Sequence, residues 1–159
     1  MSERIRKAKP DELDSIYLMG FDVWSDGSHQ VDYLAECHSS PKYRKGTWFV
    51  LEESGRLLSS LITYEFDSEK IGIGSIATPV TERNRGHASK LISGVVQLLE
   101  IEKHGLKVFL YSDINPVFYE RFGFKPIPSA AQRYQTTTCM VRGADPQDFK
   151  GTIQVPEYF

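Results

Sequence analysis

The amino-acid sequence predicts an α/β (α+β) protein with a mixed, mostly antiparallel central sheet flanked by helices and one parallel β-α-β crossover. A long amphipathic pattern over residues 88–103 lies between two β-prone runs, 70–78 and 107–113. This order is typical of two parallel strands joined by a helix. The other β-prone runs are short, and a turn joins the pair in residues 47–66 directly, which favours antiparallel pairing.

Length and charge define the class of protein. With 159 residues, 40% of them hydrophobic and 25% charged, the chain has the composition of an ordinary globular protein. We expect a single domain over residues 1–159. The 19 basic and 21 acidic side chains give a net charge of −2, so no overall field would attract nucleic acid or an anionic membrane.

Cysteine and histidine are too scattered to indicate a metal site or a disulfide framework. Cys37 and Cys139 stand alone, and the four histidines form no ligand pair at helical spacing. No apolar run approaches the ~20 residues that cross a bilayer, and the first residues lack the apolar core of a secretory signal. We therefore expect a cytoplasmic protein that holds no metal.

The first third of the chain alternates short elements. Residues 4–9 are predicted to form a half-exposed strand that Pro10 ends. Residues 10–24 follow at helical spacing, with Pro10 and Asp11 as start signals. The turn-rich residues 25–30 separate this region from a second short helix that begins near Val31.

The middle of the chain contains the clearest elements. Residues 47–66 are predicted as a hairpin that turns at residues 53–55, and residues 70–78 as a strand that Pro79 ends. The apolar positions of the helix over 88–103 recur every three or four residues, and Gly105 follows it in the manner of a C-terminal glycine.

The last third begins with the near-continuous apolar run 107–113, which is typical of a strand covered on both faces. Asn115 and Pro116 then give an N-cap and a first helical position, and Gly123 ends this short helix. Phe118 and Phe122 lie four residues apart and are expected to share a buried face. A β-prone run over 133–141 completes the order β-α-α-β-β-β-α-β-α-β.

A cluster of basic residues around one glycine lies at the start of the clearest helix. Residues 83–88 contain Arg83, Asn84, Arg85 and Gly86. A helix N-terminus offers unpaired N–H groups and the positive end of the helix dipole, and glycine lets an anion approach the backbone. The segment is either an anion-binding loop or a surface loop with two solvated arginines, and its spacing alone does not distinguish them.

The segment TPVTERNRGHA, residues 78–88, resembles the acetyl-CoA loop of the GCN5-related N-acetyltransferases, the GNAT family. The family pattern is Arg or Gln, two residues, Gly, one residue, and Gly or Ala, and Arg83, Gly86 and Ala88 occupy those positions. The downstream segment NPVFYERFGF also matches the family, in the expected order. Together the matching segments cover roughly residues 46–125.

The resemblance implies the acyl-CoA N-acyltransferase (GNAT) fold and acetyl-CoA as co-substrate. It implies that main-chain groups of Ile76, Ala77 and Thr78 pair with the pantetheine arm like an added strand. The pyrophosphate would be held by N–H groups of the loop, which are those of Arg83, Asn84, Arg85, Gly86, His87 and Ala88. Asn115 matches a position that often touches the pantetheine arm.

Tyr119 is the predicted general acid, because a tyrosine at this place in the family lies near the thioester sulfur. Its phenol, with an ordinary pKa of about 10, is able to protonate the departing thiolate. Without the resemblance, a tyrosine among phenylalanines is most often simple core. The general base is less defined, since residues 71–78 contain no carboxylate where some family members have a glutamate. Glu65 is the nearest candidate for the general base, although it is also interpreted as an exposed charge at the end of a strand. A water molecule held by main-chain carbonyls is an equally open alternative for the base.

The expected activity is acetyl transfer from acetyl-CoA to a primary amine by direct attack. The alternative hypothesis, from another class of protein, is a CoA-binding sensor or interaction module that no longer catalyses a reaction. A third hypothesis is nucleic-acid recognition, which requires a basic face that this charge balance does not supply. The acceptor is a small-molecule or peptide amine, and a homodimer is compatible with the sequence. Trp24 and Tyr33 are candidates to line an acceptor pocket, and Asp22 and Asp26 to attract a cationic amine, although turn chemistry also explains the aspartates.

Overall fold

The structure, a computed structural model, describes residues 2–159. Its strands are β1 Glu3–Lys7, β2 Thr47–Glu53, β3 Arg56–Glu65, β4 Lys70–Ala77, β5 Lys107–Ser112, β6 Lys125–Pro126 and β7 Thr138–Arg142. Pairing links them in the order β1-β2-β3-β4-β5-β7-β6. The β4–β5 pair is parallel, and the pairs β1–β2, β2–β3, β5–β7 and β6–β7 are antiparallel. The predicted mixed sheet with one parallel crossover is confirmed.

The helices are α1 Leu13–Met19, α2 Phe21–Trp24, α3 Gln30–Ser39, α4 Pro41–Lys45, α5 His87–Glu102 and α6 Val117–Glu120. Single 3-10 turns occur at Pro10–Glu12, Val80–Glu82, Ser129–Ala131, Pro146–Asp148 and Thr152–Gln154. In the part of the chain that the structure describes, no helix combines the length and the apolar character that crossing a bilayer requires.

The helical spacing predicted over residues 10–24 corresponds to three short elements in the structure. The region divides into a 3-10 turn, α1 and α2, and the division falls at Gly20. A Cβ at Gly20 would lie 2.0 Å from Cε3 of Trp24, so the indole folds back over the glycine. Helical spacing continues across this junction, and for that reason the sequence pattern does not reveal it.

Two elements were missing from the sequence prediction. Helix α4 begins at Pro41, and the Ser40 side chain accepts a hydrogen bond from the Tyr43 N–H at 3.4 Å, so a serine cap followed by proline was the available signal. Strand β6 has only two residues, which is too short for any periodicity to identify.

The chain groups into two compact units. The first comprises residues 2–63 and Ser75–Val95. Its core includes Val50 and Leu61 from the hairpin and Leu91 from α5, each with 0% of its surface exposed. Helix α5 packs closely on β1, because a Cβ at Gly94 would lie 2.0 Å from Cδ1 of Ile5.

The second unit comprises Tyr64–Gly74 and Val96–Phe159. Its sheet pairs Lys70–Gly72 of β4 with Lys107–Phe109 of β5, and β5 with β7. Val108, Phe109 and Leu110 are at most 1% exposed, as the continuous apolar run predicted. One buried cluster joins β5 and β7 to the segments around them: Phe109, Ile127, Ala131, Cys139, Val141, Phe149 and Val155.

Both cysteines are free thiols within buried surroundings. Cys37 is 6% exposed in the first unit, and Cys139 is 0% exposed in the second. Burial raises the pKa of the Cys139 thiol to about 12. These side chains therefore act as small apolar groups in the core.

A partly buried ion pair near the start of the chain predicts how stability depends on pH. Arg6 donates to both carboxylate oxygens of Glu12, at 2.9 and 2.8 Å, and these hydrogen bonds lower the pKa of Glu12 to about 2. Because the unfolded chain has a glutamate pKa of about 4.3, the stabilisation is present above that value and is lost as the pH falls toward 2.

We expect the free energy of unfolding to fall less between pH 5 and pH 2.5 in Glu12→Gln than in the wild type. Urea titrations at several pH values measure this difference, and Glu36→Gln, on an exposed part of α3, is the control. Parallel pH profiles for Glu12→Gln and the wild type would contradict the prediction.

Candidate functional site

The loop between β4 and α5 exposes the start of the helix. After the 3-10 turn at Val80–Glu82, Asn84 and Gly86 have φ angles of 64° and 79°. The Gly86 carbonyl accepts from the Lys90 N–H at 3.1 Å, so the helical hydrogen bonds begin there. The first N–H groups of α5 consequently have no partner within the helix. Left-handed residues such as Asn84 and Gly86 are able to turn neighbouring N–H groups to one side, as an anion-binding nest requires.

Two further observations show that the loop has room and polarity for a ligand. No atom lies within 4 Å of the place where a Cβ on Gly86 would stand. In residues 2–159 no hydrogen-bond partner is found for Nδ1 of His87, a buried ring nitrogen on the first residue of α5. An open backbone beside a buried polar atom without a partner fits an anionic group at this helix start.

The Arg83 side chain is engaged in contacts within the protein. Its guanidinium forms a two-pronged pair with the Asp22 carboxylate, at 2.7 and 2.8 Å. It also donates to the carbonyls of Thr78 and Met19, at 2.9 and 3.2 Å. Hydrogen bonds from Arg83 lower the pKa of Asp22. Arg83 therefore fixes the loop to the end of α1, and the predicted attraction of Asp22 for a cationic amine is offset by this partner.

The other cations near the loop are also paired. The buried carboxylate of Glu82, with 5% of its side chain exposed, accepts from Arg56 at 2.9 Å and from Arg85 at 3.2 Å. Lys90 pairs with Glu3 at 2.9 Å. The Arg85 side chain is 63% exposed, and one of its guanidinium nitrogens contacts Glu82. Main-chain N–H groups, with Arg85, are therefore the donors that the loop offers.

Strand β4 changes character halfway along its length. Its pairing with β5 covers Lys70–Gly72, and Ser75 then takes a φ of 45°. A left-handed conformation is costly for a serine, and such strain concentrates at functional positions. Ile76, Ala77 and Thr78 follow and are half-buried.

Side chains hold the end of β4 in place. The Ser59 hydroxyl donates to the Ala77 carbonyl at 2.8 Å and lies 3.1 Å from the Thr78 hydroxyl oxygen. Together with the bond from Arg83 to the Thr78 carbonyl, these contacts fix the backbone that leads into the loop. The predicted binding residues from Ile76 to Ala88 thus form one continuous feature of the first unit.

Tyr43 is a residue that the sequence analysis missed. Its hydroxyl oxygen lies 3.3 Å from that of Ser75, at the strained point of β4. The ring stacks on Tyr17 at 5.7 Å and meets Trp48 edge-on at 5.2 Å. The only signal in the sequence was its place in the capped turn after Ser40, which carries no chemical information.

Tyr119 and Asn115 lie in the second unit. The Asn115 side-chain oxygen accepts from the Val117 N–H at 3.1 Å, although the N-cap position is Pro116 and the helix begins at Val117, one residue later than predicted. Tyr119 is half-buried in α6. Burial, together with the negative charge of Asp113, raises its pKa to about 12. The hydroxyl accordingly keeps its proton throughout the neutral range, as a proton donor must.

The expected burial of Phe118 and Phe122 needs correction. The two rings touch, with centroids 5.7 Å apart, but both are half-exposed. The guanidinium of Arg121 covers them, at 4.8 and 5.8 Å from the ring centres. Phe124, at 0% exposure, is the buried phenylalanine of this segment.

The structure does not favour Glu65 as a base. It is exposed and follows Tyr64, whose ring packs 5.7 Å from Phe159. Because successive side chains of a strand point to opposite faces, Glu65 faces away from Phe159. Its catalytic role stays a prediction that this position does not support.

The candidate acceptor residues near α2 are also structural. Trp24 is 45% exposed but folds over Gly20, and Tyr33 is buried against Phe21 at 5.3 Å. Asp26 has a φ of 51° within a turn. No group of three His, Cys, Asp or Glu side chains with the spacing to hold a metal ion occurs among residues 2–159.

The mixed sheet and the loop before α5 are those of the acyl-CoA N-acyltransferase fold. Comparison with known sequences identifies the family. The sequence profile described as acetyltransferase (GNAT) domain matches residues 4–127. The chain therefore belongs to the GNAT acetyltransferase family, a family of acyltransferases. A search of curated proteins finds no match.

Solved structures share the fold. Escherichia coli ElaA is 13% identical, with a TM-score of 0.67 and coverage of 89% of this chain and 99% of that one. The PaiA N-acetyltransferase from Thermoplasma acidophilum, solved in complex with coenzyme A, is 13% identical, with a TM-score of 0.65 and coverage of 89% and 99%. The ribosomal-protein-S18-alanine N-acetyltransferase from Escherichia coli is 15% identical, with a TM-score of 0.66 and coverage of 89% and 93%.

The Arg83–Asp22 pair can be tested by a double-mutant cycle. We expect Asp22→Asn and Arg83→Gln each to lower the melting temperature by about 1–3 °C, and the double variant to lower it by less than the sum of the two. Asp26→Asn, which changes a neighbouring carboxylate, is the control and should have no such coupling. Additive effects of the two substitutions would show that the pair does not stabilise the loop.

Proposed function

We propose that this protein is an acetyl-CoA-dependent N-acetyltransferase that moves an acetyl group to a primary amine by direct attack. The observation that carries the proposal is the loop at the start of α5. It combines the family's Arg83, Gly86 and Ala88 with an open nest of N–H groups and a buried His87 nitrogen that lacks a partner in the described chain.

Groups along the chain would each bind a different part of acetyl-CoA. Main-chain groups of Ile76, Ala77 and Thr78 would bind the pantetheine arm as an added strand. N–H groups from Arg83 to Ala88 would bind the pyrophosphate, with Arg85 adding charge. Asn115 would contribute its side-chain amide to the pantetheine arm. When bound, acetyl-CoA supplies an activated acyl carbon.

The reaction needs two proton movements. The lone pair of a neutral amine attacks the acyl carbon, an N–C bond forms, and the C–S bond breaks. The departing sulfur takes a proton, and the nitrogen releases one, so the products are an N-acetyl amide and CoA with a free thiol. Tyr119 is the proposed donor to the sulfur, because its raised pKa keeps the hydroxyl protonated.

The proton from nitrogen has no side-chain acceptor in the proposal. Residues 71–78 contain no carboxylate. Glu65, the other candidate for the base, is an exposed side chain at the end of its strand. Water held by main-chain carbonyls is therefore the proposed route. The same lack of a carboxylate favours the alternative function, a CoA-binding sensor that does not turn over. Thiol release from acetyl-CoA with a panel of amines distinguishes the enzyme from the sensor.

The cofactor site is tested by Gly86→Val. In the wild type, acetyl-CoA or CoA should raise the melting temperature, because a ligand that binds only the native state stabilises it. A valine side chain would fill the open space above the loop and abolish that rise. Gly55→Val is a matched control, because Gly55 has a similar φ of 81°, against 79°, and equally open surroundings in the hairpin turn. If Gly86→Val remained folded and kept the full shift, the loop would not be the binding site.

The chemistry is tested by Tyr119→Phe. We expect the variant to keep the CoA-induced thermal shift, since only a hydroxyl is lost, but to transfer acetyl about 100- to 10,000-fold more slowly. The loss should appear mainly in kcat, because the hydroxyl acts on the departing sulfur and not on ground-state binding. Single-turnover rates measure the effect, and a rate equal to that of the wild type would assign Tyr119 to packing.

A further inference from the structure

Ser75 has a backbone conformation that is unusual for a residue inside a strand. Among residues 2–159, the other non-glycine residues with a positive φ are Asp26, Ser54 and Asn84, and each of them lies in a turn. Ser75, with a φ of 45°, lies within β4. The left-handed region brings the Cβ of an L-residue too close to the following carbonyl oxygen. Such a conformation persists only where the surrounding structure holds it.

The Tyr43 hydroxyl is the group that contacts the Ser75 side chain. The two hydroxyl oxygens lie 3.3 Å apart, and the contact joins positions 32 residues apart in the first unit. A rotation of φ from 45° to the extended range would turn the Cα–Cβ bond of Ser75 about the N–Cα axis and break this contact. The hydrogen bond therefore favours the left-handed conformation over the extended one.

Packing fixes the position of the Tyr43 ring independently of Ser75. The ring stacks on Tyr17, with centroids 5.7 Å apart, and meets Trp48 edge-on at 5.2 Å. Both neighbours are buried, at 6% and 8% exposure. The Tyr43 N–H also donates to the Ser40 hydroxyl at 3.4 Å, at the start of α4. The Tyr43 hydroxyl is consequently a fixed point against which the Ser75 side chain is held.

The segment that follows Ser75 is fixed at its other end as well. The Ala77 carbonyl accepts from the Ser59 hydroxyl at 2.8 Å, and the Thr78 carbonyl accepts from Arg83 at 2.9 Å. Residues 76–78 thus lie between two sets of contacts, the Tyr43–Ser75 pair before them and these hydrogen bonds after them. A backbone held at both ends is already arranged before a ligand binds.

We propose that Tyr43 is a positioning residue for acetyl-CoA. Its contact with Ser75 holds the left-handed backbone from which the main chain of residues 76–78 pairs with the pantetheine arm. The inference rests on the proposed binding of acetyl-CoA and deepens it, because Tyr43 acts through Ser75 and touches no reacting atom. Without the contact, the binding-competent backbone is only fractionally populated, and the apparent affinity falls by that fraction.

The experiment measures the dissociation constant of CoA by isothermal titration calorimetry at pH 7.5. Tyr43→Phe removes the hydroxyl and keeps the ring, so we expect CoA to bind about 3- to 10-fold more weakly, the range of one neutral hydrogen bond. Ser75→Ala keeps the backbone strain but loses the hydroxyl, and it should weaken binding to the same extent. Tyr17→Phe removes a hydroxyl from the ring stacked on Tyr43 and is the control, with an expected change of less than about 2-fold.

Glycine at position 75 provides the rescue. It adopts a positive φ about as readily as a negative one, so Ser75→Gly needs no hydrogen bond to reach the same backbone. We expect this variant to bind CoA within about 2-fold of the wild type. Adding Tyr43→Phe to Ser75→Gly should cause no further loss. A role of Tyr43 in packing alone would not produce this pattern.

Steady-state kinetics give a second measurement. In Tyr43→Phe the KM for acetyl-CoA should rise by the same factor as the dissociation constant of CoA. The value of kcat at saturating acetyl-CoA should stay within about 2-fold of the wild type, because the substitution removes ground-state binding and no group that acts on the departing sulfur.

The possible outcomes separate this inference from the proposed function. A lower melting temperature of Tyr43→Phe with an unchanged dissociation constant would make the contact one of stability alone and overturn the inference. Equal losses in Ser75→Ala and Ser75→Gly would overturn it too, as would a loss in Tyr17→Phe as large as that in Tyr43→Phe. In each case the wild type still binds CoA. A wild type that neither binds CoA nor releases thiol from acetyl-CoA would overturn the proposed function itself.

Discussion

The left-handed backbone of Ser75 divides β4 into two stretches, and the candidate site depends on that division. Before it, the strand is paired with β5 and bears glycines that accommodate an aromatic ring. After it, Ile76–Thr78 are half-buried and lead directly into the loop before α5. A regular strand would pair along its whole length and present side chains of one kind to each face. The strained residue therefore lies between the stretch of β4 that pairs with β5 and the stretch that leads into the loop.

The loop before α5 also shows why net charge is a poor guide to anion binding. Arg83, Arg85 and Lys90 each have a carboxylate partner, so the formal charges largely cancel within the protein. The groups left to attract an anion are the peptide N–H dipoles at the start of α5. The ion pairs hold the loop and so preserve the orientation of these dipoles. Affinity built in this way responds to the geometry of the backbone more than to ionic strength.

The sequence predicted the sheet, the crossover helix and the anion loop because each depends on local pattern. Apolar spacing identifies α5, the continuous run identifies β5, and Gly86 has a recognisable place before a helix. Phe159 could not be predicted, because its contacts with Gly72 and Gly74 join positions more than 80 residues apart. The ion pair of Arg83 with Asp22 was missed for the same reason, and two aspartates in a turn region gave no indication of which one would be paired.

For the Tyr43–Ser75 contact, the sequence indicated local structure but gave no indication of function. A capped helical turn is predictable from Ser40 and Pro41, yet nothing local indicates which tyrosine face meets a strand 32 residues later. The sequence itself showed that residues 71–78 contain no carboxylate. The packing of Phe159 on Gly72 and Gly74 could be seen only in the folded arrangement.

The burial of both cysteines has a practical consequence for measuring this protein's activity. A reagent that reports thiols by colour would meet Cys139 with 0% of its surface exposed and Cys37 with 6%. Since a thiol reacts as its thiolate and burial raises the pKa of both thiols, the native protein should add almost no background. The colour that develops in such an assay would therefore count CoA molecules, and a slow rise without substrate would report unfolding of the protein itself.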